Sequence, residues 1–180
     1  MTPSPLRGVV LVGFMAAGKS AVGRRLAAES GRTFIDADDE IERTTGRSIR
    51  ELFEEGEHRF REIEREVVRD CLRRDRVVIA TGGGWAAHPE WVNEVPDGFC
   101  TVWLDVPLEL ALRRASEGET VRPLLVGPDR REVAANRYEQ RRPSYALAEV
   151  RVDTEGSTVD DVSARILEIL AANRDEPRTE

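Results

Sequence analysis

The segment GFMAAGKSAVG, residues 13–23, combines two glycines, a lysine and a serine at a spacing that suits phosphate binding. Gly13, Gly18, Lys19 and Ser20 match the pattern G-x-x-x-x-G-K-[ST], between an apolar run and a helical pattern. In such a loop, backbone N–H groups and the start of the helix surround a phosphate. Lys19, the only lysine among 27 cationic residues, would contact the β- and γ-phosphates, and Ser20 would bind magnesium. The motif therefore predicts a nucleoside-triphosphate site.

Two carboxylates follow the second apolar run, in the segment FIDADDEIE. Asp36 and Asp38 are two residues apart at the expected end of a strand, which would direct both side chains the same way. Asp36 could hold magnesium through water, and Asp38 could accept the proton of an acceptor hydroxyl. Because aspartate is also common at helix starts, capping explains Asp38 as well as catalysis does.

Glycines and arginines supply further candidate site residues. Residues 82–84 are three glycines at the carboxyl end of the third apolar run, where a ligand can approach the backbone closely. Arg61 lies on a helical apolar stripe three residues before Glu64, which fits either a surface ion pair or a clamp on a carboxylate. Arg122 lies in a proline-stiffened loop that could close over a phosphate, and Arg141 shortly precedes a proline. Taken singly, each arginine is more often an exposed charge.

Five apolar runs rich in β-branched residues predict a buried parallel sheet, with strands at 8–13, 33–36, 77–83, 100–106 and 149–153. Helical patterns alternate with them, at 19–30, 38–45, from 48 onward, 57–74, 107–116 and 158–170. This alternation predicts an α/β fold of three layers, α/β/α, with right-handed crossovers. The segment 116–132 lacks periodicity and is interpreted as a functional loop.

The composition fits one globular domain over residues 1–180, with an expected disordered tail at 171–180. The net charge of −7 argues against a nucleic-acid surface. No apolar run approaches the roughly 20 residues of a membrane span, and the N-terminal segment lacks an apolar signal core. We therefore expect a cytoplasmic protein, and a monomer by default. Cys71 and Cys100 have no metal-binding spacing and are expected to be buried thiols.

In combination, these segments resemble the shikimate kinase family over residues 8 to about 153. The resemblance rests on GFMAAGKSAVG, FIDADDEIE, TGRSIRELFEEGEHRFREIE, TGGG, TVRPLL and RRPSYALAEVRVDT. The family implies a nucleoside-monophosphate-kinase-like P-loop fold with a five-stranded parallel sheet, an acceptor-binding helical segment at about 36–66 and a mobile lid at about 116–130. It also implies transfer of the γ-phosphoryl group of ATP, with one Mg²⁺ per subunit, to the 3-hydroxyl of shikimate in aromatic amino-acid biosynthesis.

The resemblance also implies a role for each matching position. The catalytic residues would be Lys19, Asp38 and Arg122. ATP would contact Gly13, Ala16, Ala17, Gly18, Lys19, Ser20, Ala21, Arg114 and Arg122. Shikimate would contact Asp38, Arg61, Gly82, Gly83, Gly84 and Arg141, with the two arginines on its carboxylate. Mg²⁺ would be held by Ser20, with Asp36 in its outer shell. Three features depart from the family pattern. Ala16 and Ala21 stand where Gly and Thr are frequent, Trp85 is bulkier than expected beside the acceptor, and the segment DTEGSTVDD after Val152 has no matching proline on the adenine side.

Two other functions stay open on the sequence alone. A kinase of another small hydroxy acid, such as a gluconate kinase, would share the fold and the carboxylate clamp, although the FIDADD and TVRPLL segments favour shikimate. A P-loop nucleotide-binding switch without a small-molecule acceptor is the second. A GTPase would typically carry an N-K-x-D motif, which a chain with one lysine in its phosphate loop does not contain.

Overall fold

The strands form one sheet at the centre of the molecule, in a computed structural model that describes residues 6–117 and 130–175. The side chains of residues 130 and 173–175 lie outside that description. The strands are β1 (Gly8–Val12), β2 (Thr33–Asp36), β3 (Val77–Ala80), β4 (Phe99–Asp105) and β5 (Val150–Asp153). All pairings between them are parallel, and the spatial order is β2-β3-β1-β4-β5. The predicted five-stranded parallel sheet is confirmed.

Helices connect successive strands, and one separate helical segment stands between β2 and β3. The helices of the described residues are α1 (Lys19–Ser30), α2 (Ala37–Thr45), α3 (Ile49–Glu54), α4 (Glu57–Cys71), α5 (Pro89–Asn93), α6 (Leu108–Glu117), α7 (Arg130–Tyr145) and α8 (Val159–Asp175). The bounds of α1 agree with the prediction, and the predicted capping box of Ser48 and Glu51 opens α3.

The separate segment has its own small core. One buried side chain from each of its helices α2, α3 and α4 contributes to this core: Ile41, Leu52 and Phe60. This cluster is separate from the main core around the sheet. Strands β1 and β4 are buried along their whole length, as expected for the interior of a sheet covered on both faces. Helix α4 joins the two cores, because its Val68 and Cys71 belong to the main core. The bounds 36–66 of the predicted acceptor-binding segment stay a prediction.

The predicted third strand, 77–83, ends at Ala80, and the predicted helix 57–74 ends at Cys71. Two larger differences concern helices α8 and α7. Helix α8 continues to Asp175, so the first half of the tail predicted as disordered is helical, because good helix formers continue without glycine or proline after Leu170. Helix α7 was not predicted, and its start overlaps the segment interpreted as a loop. The buried residues of its described part are Ala134, Tyr138, Arg141, Ser144 and Tyr145. Because an arginine replaces an apolar residue in this buried stripe, the helical period is hidden.

Several remaining predictions can be compared with the described residues. Cys71 and Cys100 are buried free thiols, as predicted. Among the described residues, no helix is long and apolar enough to span a membrane. Helix α6 extends one residue beyond its predicted end, into the start of the predicted lid. Residues 118–129, most of that lid, and with them Arg122, lie outside the described residues.

Candidate active site

The phosphate loop lies between the end of β1 and the start of α1. Gly18 is the N-cap of α1, with φ 92°, a left-handed conformation that glycine adopts without strain. It supplies no side-chain cap, so the first N–H groups of α1 have no side-chain acceptor from this position. These groups point to the region enclosed by residues 13–18, where an anion would complete their hydrogen bonds.

Lys19 turns back over the loop that precedes it. Its Nζ donates hydrogen bonds to the backbone oxygens of Gly13 and Phe14, both at 2.9 Å. Only 9% of its surface is exposed. The ammonium group is therefore held inside the curl of the phosphate loop, as the motif predicts.

Ser20 and Asp36 bring two oxygen donors together beside this loop. Ser20 Oγ donates a hydrogen bond of 2.6 Å to Asp36 Oδ2. Asp36 Oδ1 accepts the backbone N–H of Asp38 at 3.1 Å, which makes Asp36 the N-cap of α2. The described residues contain no cluster of three or more metal-ligating side chains. The hydroxyl–carboxylate pair suits Mg²⁺, which commonly takes its other ligands from water and phosphate.

Asp38 lies in the first turn of α2, and its side chain is open to solvent. Because Asp36 supplies the cap, capping no longer accounts for Asp38. Asp38 lies two residues beyond the end of β2, rather than at the end of the strand as predicted. Partial loss of hydration against the surrounding protein raises the pKa of Asp38, and the negative charge of Asp36 raises it further. The positive charges of Lys19 and Arg61 lower this pKa. A Cβ built on Gly82 would lie 3.2 Å from Asp38 Oδ1, so the Asp38 carboxyl lies next to the glycine run.

Arg61 is held by two carboxylates of its own helix, α4. Its Nη1 donates to Glu64 Oε2 at 2.6 Å and its Nη2 to Glu57 Oε1 at 3.2 Å. Glu64 is completely buried, and only 13% of the Arg61 side chain is exposed. The predicted pair with Glu64 exists, but it is buried and faces the cleft beside Asp38. The surface ion pair considered from the sequence is therefore not what the structure contains.

Glu64 was not singled out as a site residue. Burial raises the pKa of its carboxyl to about 7, against the opposing effect of Arg61, and Asp38 raises it further. Among the described residues, its Oε1 has no hydrogen-bond partner. One signal was present in the sequence, because Glu64 follows Phe60 by four residues on the apolar stripe of α4.

Residues 82–84 pass so close to these side chains that any added side chain would displace a neighbouring group. A Cβ at Gly82 would come well within 3.0 Å of Glu64 Oε1, and one at Gly84 would overlap the Arg61 guanidinium. A Cβ at Gly83 would lie 3.3 Å from the backbone nitrogen of Met15 in the phosphate loop. The glycine run therefore lies between the phosphate loop and α4.

Helix α7 closes the other side of the cleft. Arg141, 8% exposed, donates from Nη1 to the Gly83 oxygen at 3.2 Å, and Tyr145 Oη donates to the same oxygen at 2.6 Å. Burial lowers the pKa of Arg141, and the nearby Arg61 lowers it further. The adjacent Arg142 instead turns to Asp105, at 3.1 Å. Tyr145 is a second residue that the sequence did not single out.

Two further predicted positions lie outside this group. Trp85 is buried in the main core directly after the glycine run, with its ring 6.3 Å from that of Trp91. Arg114 lies half-buried in the last turn of α6, and its contact with adenine stays a prediction.

The geometry defines a class of protein. A parallel sheet carries a phosphate loop after its central strand, and a cleft lined by two arginines and a carboxylate lies directly against that loop. This arrangement is that of a P-loop kinase of the nucleoside-monophosphate-kinase-like fold. The chain belongs to the shikimate kinase family, because the family model described as shikimate kinase matches residues 15–171.

Individual relatives agree with this assignment. A shikimate kinase of Persephonella marina is 38% identical over 163 residues, which cover 90% of this chain and 98% of the relative. The solved structure of a shikimate kinase from Acinetobacter baumannii in complex with shikimate has a TM-score of 0.87 at 35% identity, covering 95% and 96% of the two chains. A gluconokinase from Sinorhizobium meliloti reaches a TM-score of 0.63 at 17% identity, covering 94% and 98%, and shares the fold alone.

Proposed function

We propose that this chain transfers the γ-phosphoryl group of ATP to the 3-hydroxyl of shikimate, giving shikimate 3-phosphate and ADP. As a member of the shikimate kinase family, it is a kinase of aromatic amino-acid biosynthesis. The observation that carries the proposal is the convergence of Asp38, Arg61 and Arg141 beside the phosphate loop that holds Lys19.

The acceptor cleft matches the chemistry of a hydroxylated carboxylic acid. Arg61 and Arg141 would bind the carboxylate, since guanidinium groups bind carboxylates through paired hydrogen bonds. Gly82, Gly83 and Gly84 would line the cleft without side chains, so that the ring of shikimate can approach the backbone. Asp38 would accept a hydrogen bond from the hydroxyl that is phosphorylated.

The proton of that hydroxyl would pass to the Asp38 carboxylate as the oxygen attacks the γ-phosphorus. The raised pKa of Asp38 makes it a better proton acceptor than an ordinary aspartate, while Lys19 and Arg61 favour its ionised form. Catalysis of phosphoryl transfer consists mainly of positioning and charge stabilisation. Asp38 therefore needs only to orient the hydroxyl and remove its proton late.

The nucleotide side uses mainly the backbone of the phosphate loop. The N–H groups around Gly13, Ala16, Ala17, Gly18 and Ala21 would surround the phosphates, with Lys19 on the β- and γ-phosphates. Mg²⁺ would be held by Ser20, with Asp36 in its outer shell, and would neutralise phosphate charge. Arg122 of the lid would stabilise the transferred group, and Arg114 would lie on the adenine. We further propose that the enzyme acts as a monomer in the cytoplasm.

A gluconate-kinase-like activity is the alternative that shares most of this chemistry. Both acceptors carry one carboxylate and several hydroxyls, so two arginines do not separate them. The gluconokinase structure shares only the fold, whereas the shikimate kinases of Persephonella marina and Acinetobacter baumannii match the chain at 38% and 35% identity. A panel of hydroxy acids incubated with magnesium-ATP, with release of ADP followed, should give turnover with shikimate in preference to gluconate.

The substitution Arg61→Ala tests the acceptor clamp. We expect the KM for shikimate to rise by about two orders of magnitude, because a charged hydrogen-bonding group is lost, and the KM for ATP to change little. Arg59→Ala is the matched control, since Arg59 lies exposed on the same helix and pairs with Glu62. Equal effects of Arg61→Ala on both Michaelis constants would contradict the proposed role of Arg61.

A further inference from the structure

Arg61 is paired on both terminal nitrogens before any acceptor binds. Glu64 and Glu57 take one nitrogen each, but the two carboxylates differ in their freedom to move. Glu64 is fully buried within the cleft wall, whereas 49% of the Glu57 side chain is exposed. Glu57 is therefore the partner that can leave Arg61 without rearrangement of the core.

Glu57 also has a second arginine within reach, on another helix. Its Oε1 lies 3.8 Å from Nη1 of Arg137. Arg137 is in α7, one turn before Arg141, the other arginine of the proposed carboxylate clamp. The Glu57 carboxylate thus lies between α4 and α7 at the edge of the cleft, in contact with the arginine that the acceptor would use.

The first-turn position of Glu57 does not account for this arrangement. A negative charge at the start of α4 is favourable for the helix, and that explains an acid at this position. It does not explain why the same oxygen is shared between Arg61 of α4 and Arg137 of α7. A pair that bridges two helices across a binding cleft points to a role in ligand exchange.

We propose that Glu57 is an internal carboxylate that occupies Arg61 while the acceptor is absent and turns to Arg137 when the acceptor carboxylate arrives. This inference rests on the proposed function, because it takes Arg61 as an acceptor clamp. Glu57 keeps the Arg61 guanidinium oriented and paired, and the bound acceptor replaces one carboxylate with another. Arg137 then pairs with the displaced Glu57 carboxylate, so that Glu57 does not remain beside the negatively charged carboxylate of the acceptor.

The exchange predicts effects of opposite sign for the two partners. Glu57→Gln removes the competing charge, and we expect calorimetry without nucleotide to show shikimate binding about twofold to fivefold more tightly. Arg137→Gln removes the receiving group, and we expect binding to weaken by a similar factor. The double variant should bind like Glu57→Gln, because Arg137 acts only through Glu57. Glu62→Gln, on the same helix and paired with Arg59, should bind like the unchanged protein.

Each other outcome overturns a defined part of this scheme. Unchanged or weaker binding by Glu57→Gln would overturn the inference, as would equal tightening by Glu62→Gln, which would indicate a general charge effect. An additive double variant would overturn the transfer to Arg137. Arg61→Ala, measured in the same experiment, separates the two proposals. If it keeps full affinity, the proposed clamp fails, and if it loses affinity, the clamp stands whatever Glu57 does.

Discussion

The phosphate loop and the acceptor cleft lie against each other, but the chain builds them in different ways. The loop consists of consecutive residues, 13–20, and works largely through backbone groups. The cleft takes its residues from α2, α4, the glycine run and α7, which span more than a hundred positions. One site is therefore local in sequence, and the other exists only after the chain has folded.

The two regions also differ in how they hold charge. Lys19 is the one cation within residues 13–20, and it is bound to backbone oxygens. In the cleft, Asp38 and Glu64 face Arg61 and Arg141, and each charge changes the pKa of its neighbours. Substitutions in the loop should therefore affect one ligand, whereas substitutions in the cleft should affect a network of charges.

Lys19→Met should have the largest effect of any substitution considered. We expect turnover to fall by at least about three orders of magnitude, because the charge that faces the transferred phosphoryl group is lost. The thermal unfolding midpoint should stay close to that of the unchanged protein. Lys19→Arg should also lose most of the turnover, since a planar guanidinium differs in shape from the compact ammonium that the Gly13 and Phe14 oxygens hold. Near-normal turnover by Lys19→Met would remove the loop from the mechanism.

The pH dependence of stability tests the buried charge of the cleft. The pKa of Glu64 is about 7 in the fold, above its ordinary value of 4.5, so the folded state binds more protons between these values. Glu64 should therefore contribute to the free energy of unfolding fully below pH 4.5, and this contribution should be lost as the pH rises through about 7. The loss should be on the order of 3 kcal/mol.

Comparison with Glu64→Gln isolates that contribution. The difference in unfolding free energy between the unchanged protein and Glu64→Gln should decline between pH 4.5 and 7.5 and stay constant above. Denaturant unfolding at a series of pH values measures it, with Glu62→Gln as the exposed control on the same helix. A difference that does not vary with pH would mean that Glu64 is ionised throughout.

Gly84→Ala should affect the cleft and leave the loop unchanged. The added methyl group would overlap the Arg61 guanidinium, which must turn away from its present position. We expect the KM for shikimate to rise by about tenfold to thirtyfold, since the clamp loses one well-placed arginine. The KM for ATP serves as the internal control and should change by less than about twofold. A parallel rise of both constants would contradict the separation of the two sites.

The same difference explains what the sequence could predict. The phosphate loop, the five strands and the bounds of α1 follow from glycine spacing and from apolar periodicity, which are local signals. For Asp38 and Arg61 the local chemistry left two interpretations open each, and the family resemblance favoured one of them. The role of Arg141 came from the resemblance alone, because this residue is ordinary in its own segment. That resemblance indicated one cleft, and the structure brings the three residues together.

Other features depend on tertiary contacts that no local pattern contains. The burial of Glu64 results from the packing of α4 against the glycine run, and the contact of Tyr145 with Gly83 requires α7 to lie across that run. Helix α7 itself was hidden because Arg141 occupies its buried stripe. The N-cap of α2 is Asp36 rather than Asp38, because the helix begins at Ala37, directly after the end of β2.

Ala16 offers the smallest and most local test, within the loop itself. Its φ of 57° is left-handed, a conformation that costs an alanine about 1 kcal/mol or more. Ala16→Gly removes this strain but increases the entropy of the unfolded chain, so we expect a gain in stability below about 1 kcal/mol. Ala17→Gly should instead destabilise by about 1 kcal/mol, because Ala17 is buried and lacks a positive φ. If chemical denaturation finds equal losses for both, the loop carries no strain at Ala16, and its shape is set by its contacts rather than by its own backbone.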